Sequence, residues 1–274
     1  QLATLTLTDS NGATFSGAVS TDTSVVLTDT TDAAAITFNG ALTTPTLTTA
    51  AQGYNLVLNG GATITSAFTA THTGTLTLGN DAADVLLFDG GVTATAPSGV
   101  TLNGTLRTSG DTVSLGDAGT ALTLAGTTSI IDTTNNGNTA TGGGITLGGA
   151  VDGTADNAQS LTLNAGTGGA IDVQSTIGAT ASKQLATLTV TDSNGATFTG
   201  AVTTDTSVVL TDTTDAAAIT FNGALTTPTL TTAAQGYNLV LNGGVSITNA
   251  VSFLHSGTLT LGNDAADVLL FDGG

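Results

Sequence analysis

A long internal repeat constrains this chain more than any other feature. Residues 1–91 reappear as residues 184–274, an offset of 183 positions, and the two copies differ at 11 places, eight of them between Ala62 and Thr73. A fixed period is the signature of arrays in which each unit packs only against its neighbours. We therefore expect a first repeat block, residues 1–183, and the first half of a second, residues 184–274, in one continuous array. Because both ends fall inside repeated sequence, we expect an interior section of a longer chain.

Short pairs of apolar residues, each flanking one polar residue, predict β-strands along the whole chain. This period of two places alternate side chains on a buried face and a solvated face. Turn dipeptides such as Asn39-Gly40, Asn59-Gly60 and Asn103-Gly104 follow the pairs within a few residues, which is typical of short strands joined by tight corners. The pairs are Leu5/Leu7, Val25/Leu27, Ile36/Phe38, Leu56/Leu58, Leu76/Leu78, Val100/Leu102, Val113/Leu115, Leu122/Leu124, Ile145/Leu147, Leu161/Leu163 and Ile171/Val173.

The composition favours strands over helices and a narrow core over a wide one. Glu and Met are absent, whereas Thr and Val, which are stiff at Cβ and favour the pleated sheet, are abundant. Aromatic residues make up 4% of the chain, too few to fill the gap between two packed sheets. Stacked medium-sized aliphatic side chains suit a solenoid. The sequence therefore predicts an all-β fold, a parallel β-solenoid.

The repeat length predicts the dimensions of that solenoid. A rung of two or three strands uses roughly 20–30 residues and rises ~4.8 Å. A block of 183 residues then forms about six to nine rungs, or ~30–45 Å of fibre. The looser segment Thr133–Gly144 (TTNNGNTATGGG) is expected to be a protruding loop. An open rung is a template for further strand pairing, so we expect self-association into fibres, end to end or laterally.

The net charge of −18 excludes several kinds of partner. All 20 acidic residues are Asp, and Arg107 and Lys183 are the only fixed positive charges. Two bases cannot neutralise a phosphate track, so nucleic acid is not expected as a partner, and an anionic bilayer surface would repel the chain. The longest apolar run, about Val85 to Phe88, is too short to span a membrane.

The segment Ser160–Val202 (SLTLNAGTGGAIDVQSTIGATASKQLATLTVTDSNGATFTGAV) resembles the β-strand repeats of giant bacterial surface proteins. These include filamentous-haemagglutinin-like exoproteins and autotransporter-passenger adhesins. The shared feature is a strand, an Asn-Ala-Gly turn and a second strand, followed by the IG…LATLTV stretch. The resemblance covers most of the chain and implies a right-handed parallel β-helix that is secreted across the outer membrane. It also implies a role in adhesion or in an extracellular filament.

Two groups of residues are candidates for chemistry. His72 and His255 are equivalent in the two copies and lie in their most divergent segment, which predicts surface or turn histidines, since variable segments are usually loops. Asp pairs spaced i, i+3 in turns could offer oxygen ligands to Ca²⁺, but the alternative is that these side chains only cap local backbone. The motif GNDAADVLLFDGG is similar to Ca²⁺-binding nonapeptide repeats, although its glycines and its period depart from theirs. The pairs are Asp29/Asp32, Asp81/Asp84, Asp212/Asp215 and Asp264/Asp267.

Two further activities are weighed and set aside. A polysaccharide lyase needs carboxylates and bases together in a groove, whereas Arg107 and Lys183 are far apart in the sequence. Threonine alternation such as Thr4-Leu5-Thr6 or Thr75-Leu76-Thr77 is compatible with an ice-binding face, but any such strand places Thr opposite its aliphatic residues. We therefore expect no enzyme activity, no catalytic or metal-binding residues and no cofactor.

These observations converge on an extracellular structural protein on or around a bacterial cell, in which the array forms a long filament or stalk. Only two sites for trypsin-type cleavage, at Arg107 and Lys183, occur in 274 residues, which fits exposure to external proteases. The alternative is a binding module, either an adhesin with a cell-surface or glycan partner or a Ca²⁺-dependent surface-layer element.

Overall fold

Three stacks of short strands wind around one narrow apolar core. The computed structural model describes residues 2–274, in which parallel strands stack as a β-solenoid of about 12 turns. Each turn crosses three faces, called face 1, face 2 and face 3 in the order in which the chain first meets them. This arrangement confirms the predicted all-β parallel solenoid. Residues 2–274 contain no helix that is long and apolar enough to cross a bilayer.

Face 1 carries the first strand of each turn. From the strand at Phe68–Thr69 onward, the strands of this face form a separate sheet of nine, and the other twenty strands are joined in a second sheet. Its strands are β1 (Leu2–Leu7), β6 (Thr46–Thr49), β9 (Phe68–Thr69), β12 (Val92–Ala94), β14 (Val113–Leu115), β16 (Ile145–Leu147), β19 (Ile171–Val173), β21 (Ala196–Phe198), β23 (Ala218–Phe221), β26 (Asn238–Leu241) and β28 (Leu259–Leu261).

Face 2 follows after a corner of a few residues. In the eighth turn its place is held by Ile177 alone, which bridges to Val151 below and Val202 above. The strands of face 2 are β2 (Ala13–Phe15), β4 (Ala35–Phe38), β7 (Asn55–Leu58), β10 (Thr75–Leu78), β17 (Val151–Gly153), β24 (Leu225–Thr227), β27 (Val245–Ile247) and β29 (Leu269–Phe271).

Face 3 completes each turn, and four long strands bend around a corner to serve two faces. The strands confined to face 3 are β5 (Leu42–Thr44), β8 (Ala62–Ile64), β11 (Val85–Phe88), β18 (Ser160–Asn164), β20 (Leu185–Asp192) and β25 (Thr229–Thr232). The bent strands are β3 (Val19–Leu27), which passes from face 3 to face 1, and β13 (Gly99–Arg107), β15 (Leu122–Asp132) and β22 (Val202–Leu210), which pass from face 2 to face 3.

The alternating apolar residues form the core, as predicted. All the pairs from Val25/Leu27 to Ile171/Val173 are buried, and only Leu5/Leu7, in the first turn, are half-buried. Successive turns also stack like on like: the rings of Phe198 and Phe221 lie 4.7 Å apart and nearly parallel. At a corner, Asn59 Nδ2 donates to Asn39 Oδ1 over 2.8 Å. Each turn therefore places its side chains on equivalent ones in the turn before.

One predicted corner is a bulge within a strand, and one predicted loop is anchored at its start. Asn103-Gly104 is not a turn, because both residues lie within β13, where the register shifts and Gly104 adopts a φ of 104°. A bulge with a left-handed glycine bends the strand without ending it. Residues 133–144 do form a loop outside the strands, but Asp132 anchors its start by accepting hydrogen bonds from the backbone N–H groups of Thr134 and Asn136 at 2.9 and 2.7 Å.

The repeat block does not span a whole number of turns. β1 begins the first turn on face 1, whereas its copy β20 ends the eighth turn on face 3. The same displacement relates β11 on face 3 to its copy β29 on face 2. A block therefore spans seven turns and two further faces, roughly 24 residues per turn, within the predicted range and equivalent to ~37 Å along the solenoid axis. Identical sequence consequently lies on a different face in each copy.

The two copies provide a matched test of core packing. Leu78 is completely buried, whereas its copy Leu261, in the outermost turn, is 42% exposed. We expect Leu78→Ala to reduce the free energy of unfolding by about 2–5 kcal/mol, because it leaves a cavity, and Leu261→Ala to cost clearly less. Urea denaturation followed by circular dichroism measures both. Equal losses from the two variants would contradict the packing described for the inner turns.

Candidate functional site

The second pair of acidic residues lies in an exposed corner between face 2 and face 3. Asp84 Oδ2 accepts hydrogen bonds from the backbone N–H groups of Asn80 and Asp81 at 2.8 and 3.1 Å, and Asp81 Oδ1 accepts one from Ala83 at 2.7 Å. The copy at Asp264 and Asp267 repeats all three bonds. These carboxylates therefore stabilise their own turn by capping its backbone.

The first acidic pair behaves similarly and lies on another corner. Asp29 Oδ1 accepts from the backbone N–H of Thr30 at 2.7 Å, and Asp32 Oδ1 accepts from that of Gly53 at 3.2 Å. Asp29 and Asp32 lie between faces 1 and 2, whereas their copies lie between faces 3 and 1. Among residues 2–274, no three His, Cys, Asp or Glu side chains are grouped so that they could hold a metal ion.

Negative charges lie close to one another along the corner between faces 3 and 1. This corner holds Asp212 and Asp215, the copies of Asp29 and Asp32. Burial raises the pKa of Asp192, and the negative charge of Asp212 in the next turn raises it further. Within residues 92–183, which have no second copy in this sequence, Arg107 Nε lies 3.7 Å from Asp132 Oδ2 and forms an ion pair. The stacked corners therefore carry a net negative charge. Arg107, one of the two basic residues of the chain, is paired with Asp132.

The two histidines are not on the surface, and this prediction was wrong. His72 is fully buried and His255 is 8% exposed. Each ring stacks on a tyrosine of the preceding turn, Tyr54 or Tyr237, with ring centres 5.3 Å apart in both cases. The divergence of this segment suggested a loop, but Phe68, Ala70 and His72 point inward alternately and are all buried. The alternation of period two, which predicted the other core residues, is therefore the pattern that would have predicted a buried His72.

The buried imidazoles are unusual because none of their four ring nitrogens has a hydrogen-bond partner. Burial lowers the pKa of His72 to about 4, and the backbone of Thr75, which lies nearby but outside hydrogen-bonding geometry, offsets only part of that effect. The stacked Tyr54 donates its hydroxyl to the carbonyl of Leu27 at 3.2 Å. The imidazole of His72 is therefore uncharged at neutral pH and packs as a core side chain.

The outward hydroxyls of face 1 form one interrupted row. Each strand of the nine-stranded sheet presents at most one outward hydroxyl, because the additional outward residues of its two four-residue strands are Ala218 and Asn238, so no array two hydroxyls wide arises on that sheet. The row is Thr69, Thr93, Ser114, Thr146, Asp172, Thr197, Thr220, Val240 and Thr260.

The outermost turns expose apolar side chains that the inner turns bury. Leu2 is 54% exposed, whereas its copy Leu185 is fully buried. At the opposite end, Leu254 is 58% exposed, and it follows Phe253, which packs at the rim of the core. A groove lined by Leu2, Leu5, Phe15, Ala18 and Val19 opens at the first turn. Among residues 2–274, the exposed large apolar side chains other than Val85 therefore lie in the outermost turns.

No protein-family model, curated protein or solved structure matches this chain.

Buried His72 should make the fold sensitive to acid. Because its pKa is about 4 in the folded chain and 6.5 ordinarily, the unfolded chain takes up the proton first. The stability that depends on the neutral ring is therefore complete above about pH 6.5 and is lost as the pH falls towards 4, by up to roughly 3 kcal/mol. Urea titrations at pH 7.5 and 4.5 measure this loss.

We expect His72→Phe to reduce the acid-dependent loss while keeping a stacked ring. The matched control is Tyr54→Phe, which removes one hydroxyl hydrogen bond, worth about 1 kcal/mol, and should leave the acid-dependent loss as it is. An unchanged difference between the two pH values in His72→Phe would show that this ring is not the acid-sensitive group.

Proposed function

We propose that this chain is a section of an extracellular bacterial filament or stalk, in which each repeat block adds length and stiffness. The observation that carries the proposal is the strand ladder across the repeat boundary. β18 of the first block pairs with β20 of the second over Ser160–Thr187 to Asn164–Asp192, so the stack continues without a linker. Backbone hydrogen bonds and a shared core join the two blocks as firmly as turns within a block.

Surface chemistry supports an exterior location. Polarity comes mainly from Thr, Asn, Ser and Gly, and the two side chains that trypsin-like proteases recognise are Arg107, which is ion-paired within a strand ladder, and Lys183. Protease cleavage requires local opening of the backbone, which the strand ladder opposes at Arg107, whereas Lys183 lies in an exposed segment before β20 and is the one site open to such cleavage in residues 2–274. The resemblance to surface-protein repeats points in the same direction.

The alternative function, an adhesin or Ca²⁺-dependent surface-layer module, would place a partner at the loops or the acidic turns. The carboxylates of Asp81 and Asp84 are already hydrogen-bonded to the backbone of their own turn. A Ca²⁺ ion needs six to eight oxygen ligands, and two carboxylates on one corner supply few of them. The filament is therefore the better supported of the two.

A filament section should behave as a stiff rod whose length follows the number of blocks. About 12 turns predict a length of roughly 55 Å. Adding a further 183 residues, the sequence 92–274 repeated after residue 274, should lengthen the rod by ~37 Å at constant cross-section. Small-angle X-ray scattering measures both. A longer chain that instead becomes globular, or bends at a flexible joint, would contradict the proposal.

Removal of Ca²⁺ by a chelator should distinguish a Ca²⁺-dependent surface-layer module from the proposed filament. We expect EDTA to leave the melting temperature unchanged within about 1 °C, because loss of a bound stabilising ion would lower it. Asp84→Ala should cost about 1 kcal/mol through its lost caps, equally with and without Ca²⁺, and Asp267→Ala is its matched copy in the outermost turn. A fall of several degrees in EDTA, restored by Ca²⁺, would favour the surface-layer module.

A further inference from the structure

Face 3 carries two parallel columns of outward side chains between the seventh and tenth turns. β18, β20, the end of β22 and β25 pair there in register, and each strand points one residue to solvent on either side of a buried one. Seven of these eight outward residues are Ser or Thr, and the eighth is Val209. The first column is Ser160, Thr187, Ser207 and Thr229, and the second is Thr162, Thr189, Val209 and Thr231.

The platform beneath these two columns is rigid and regular. The residues between the columns are all buried, and the backbone pairing is continuous across the four strands; these residues are Leu161, Leu188, Val208 and Leu230. Adjacent strands lie ~4.8 Å apart, and residues i and i+2 of one strand lie ~6.6 Å apart. The outward side chains therefore form a lattice that repeats in two directions.

The hydroxyls of the second column are available to water. Within residues 2–274, the side chains of Thr162, Thr189 and Thr231 make no hydrogen bond to another protein group. In the first column, the hydroxyls of Thr187 and Ser207 hydrogen-bond each other at 3.1 Å, which restrains both side chains. Because a threonine hydroxyl donates one hydrogen bond and accepts two, each free hydroxyl of the second column keeps its whole capacity for water.

No charged side chain interrupts the two columns, although the chain carries a net charge of −18. Aspartates of the same strands lie at the corners instead: Asp192 ends β20, and Asp205 lies where β22 bends from face 2 to face 3. The columns also contain no aromatic ring on which a sugar could stack. An uncharged plane covered by hydroxyls is complementary to a surface that consists of ordered water.

We propose that this hydroxyl array on face 3 binds the surface of ice. Oxygen atoms at an ice surface repeat at intervals close to the strand spacing in one direction and close to the two-residue spacing in the other. The hydroxyl oxygens of the array therefore occupy positions of the water lattice, and the threonine methyl groups fill the spaces between them. Each contact is weak, but the strand ladder holds all of them in place before binding. This property goes beyond the proposed filament and does not depend on it.

The first copy presents a shorter array of the same kind on face 1. β1, the end of β3 and β6 pair in register there, so that the array is three strands high, against four on face 3. Its columns are Thr4, Ser24 and Thr46, and Thr6, Val26 and Thr48. The alternation of threonine in the sequence does not distinguish these arrays from the single row of the nine-stranded sheet, because only strand pairing shows where two columns run side by side.

The growth of single ice crystals in solutions of the chain tests this proposal. We expect the native chain to produce thermal hysteresis, a gap between the melting and freezing temperatures of the crystal, that increases with protein concentration. The double variant Thr189→Tyr/Thr231→Tyr places two bulky rings in the second column of face 3 and should lose most of this gap. Adding Thr6→Tyr and Thr48→Tyr, which disrupt the shorter array, should reduce the gap to the value in buffer.

The matched control is Thr146→Tyr/Thr197→Tyr, which places two tyrosines in the single row of face 1 and should leave the thermal hysteresis of the native chain unchanged. Circular dichroism verifies that each variant keeps its β-structure. An equal loss in the control and in the face 3 variant would overturn the assignment to the two-column array.

The native chain decides the proposal without any variant. No thermal hysteresis and no inhibition of ice recrystallisation at any protein concentration would overturn it. Binding of the native chain to insoluble cellulose, with no effect on ice, would also overturn it and would assign the array to a crystalline polysaccharide. The rod length of the chain tests the proposed filament separately, so that either proposal can fail while the other holds.

Discussion

Every turn of this chain lies within hydrogen-bonding distance of the turn before it, and the rest of the structure depends on that contact. The ladder satisfies the backbone polar groups of strands only three or four residues long, which would not persist alone. It also fixes the side chains, because parallel pairing in register places each inward residue on an inward residue below. Stacked rings such as Phe198 and Phe221, and stacked amides such as Asn39 and Asn59, follow directly from it.

Because the ladder is made by backbone, it tolerates a change of face. The sequence of β1 lies on face 1 in one copy and face 3 in the other, yet keeps the same alternation of inward and outward residues. The three faces therefore offer equivalent environments to a short strand. Corners differ more than strands do, and they absorb the variation in length that allows a block to end between faces.

The sequence predicted the class of fold, the core residues and the range of turn numbers, because all three depend on a period of two and a repeat length that can be read directly. It did not predict the rotation between copies. Counting faces requires knowing which strands bend around a corner, as β13 does at Gly104, and local sequence there suggested a turn. Only the pairing partners reveal the difference.

The histidines show a different limit. Variation between the copies around His72 was interpreted as looseness, but three of the eight substitutions exchange one inward residue for another: Ala62 becomes Val245, Phe68 becomes Val251, and Ala70 becomes Phe253. A core filled by stacking accepts such exchanges if the volume of neighbouring turns compensates. The acidic pairs were correctly predicted to lie in turns, and Asp29, Asp81 and Asp84 cap the backbone of their own turn, which needs only local sequence. Asp32 instead accepts from Gly53 of the next turn, a contact that local sequence does not reveal.

The fractional number of turns in a block has a mechanical consequence. The corner that holds Tyr54 and His72, with its unsatisfied imidazole, lies between faces 1 and 2, whereas its copy lies between faces 3 and 1. Weak places that recur with the sequence are therefore staggered around the axis in successive copies, and at one face per block they would return to the same edge only after three blocks. A split that starts at one such corner therefore does not meet the equivalent corner on the same edge in the next copy, so the weak corners of the two copies do not form one continuous line along the solenoid.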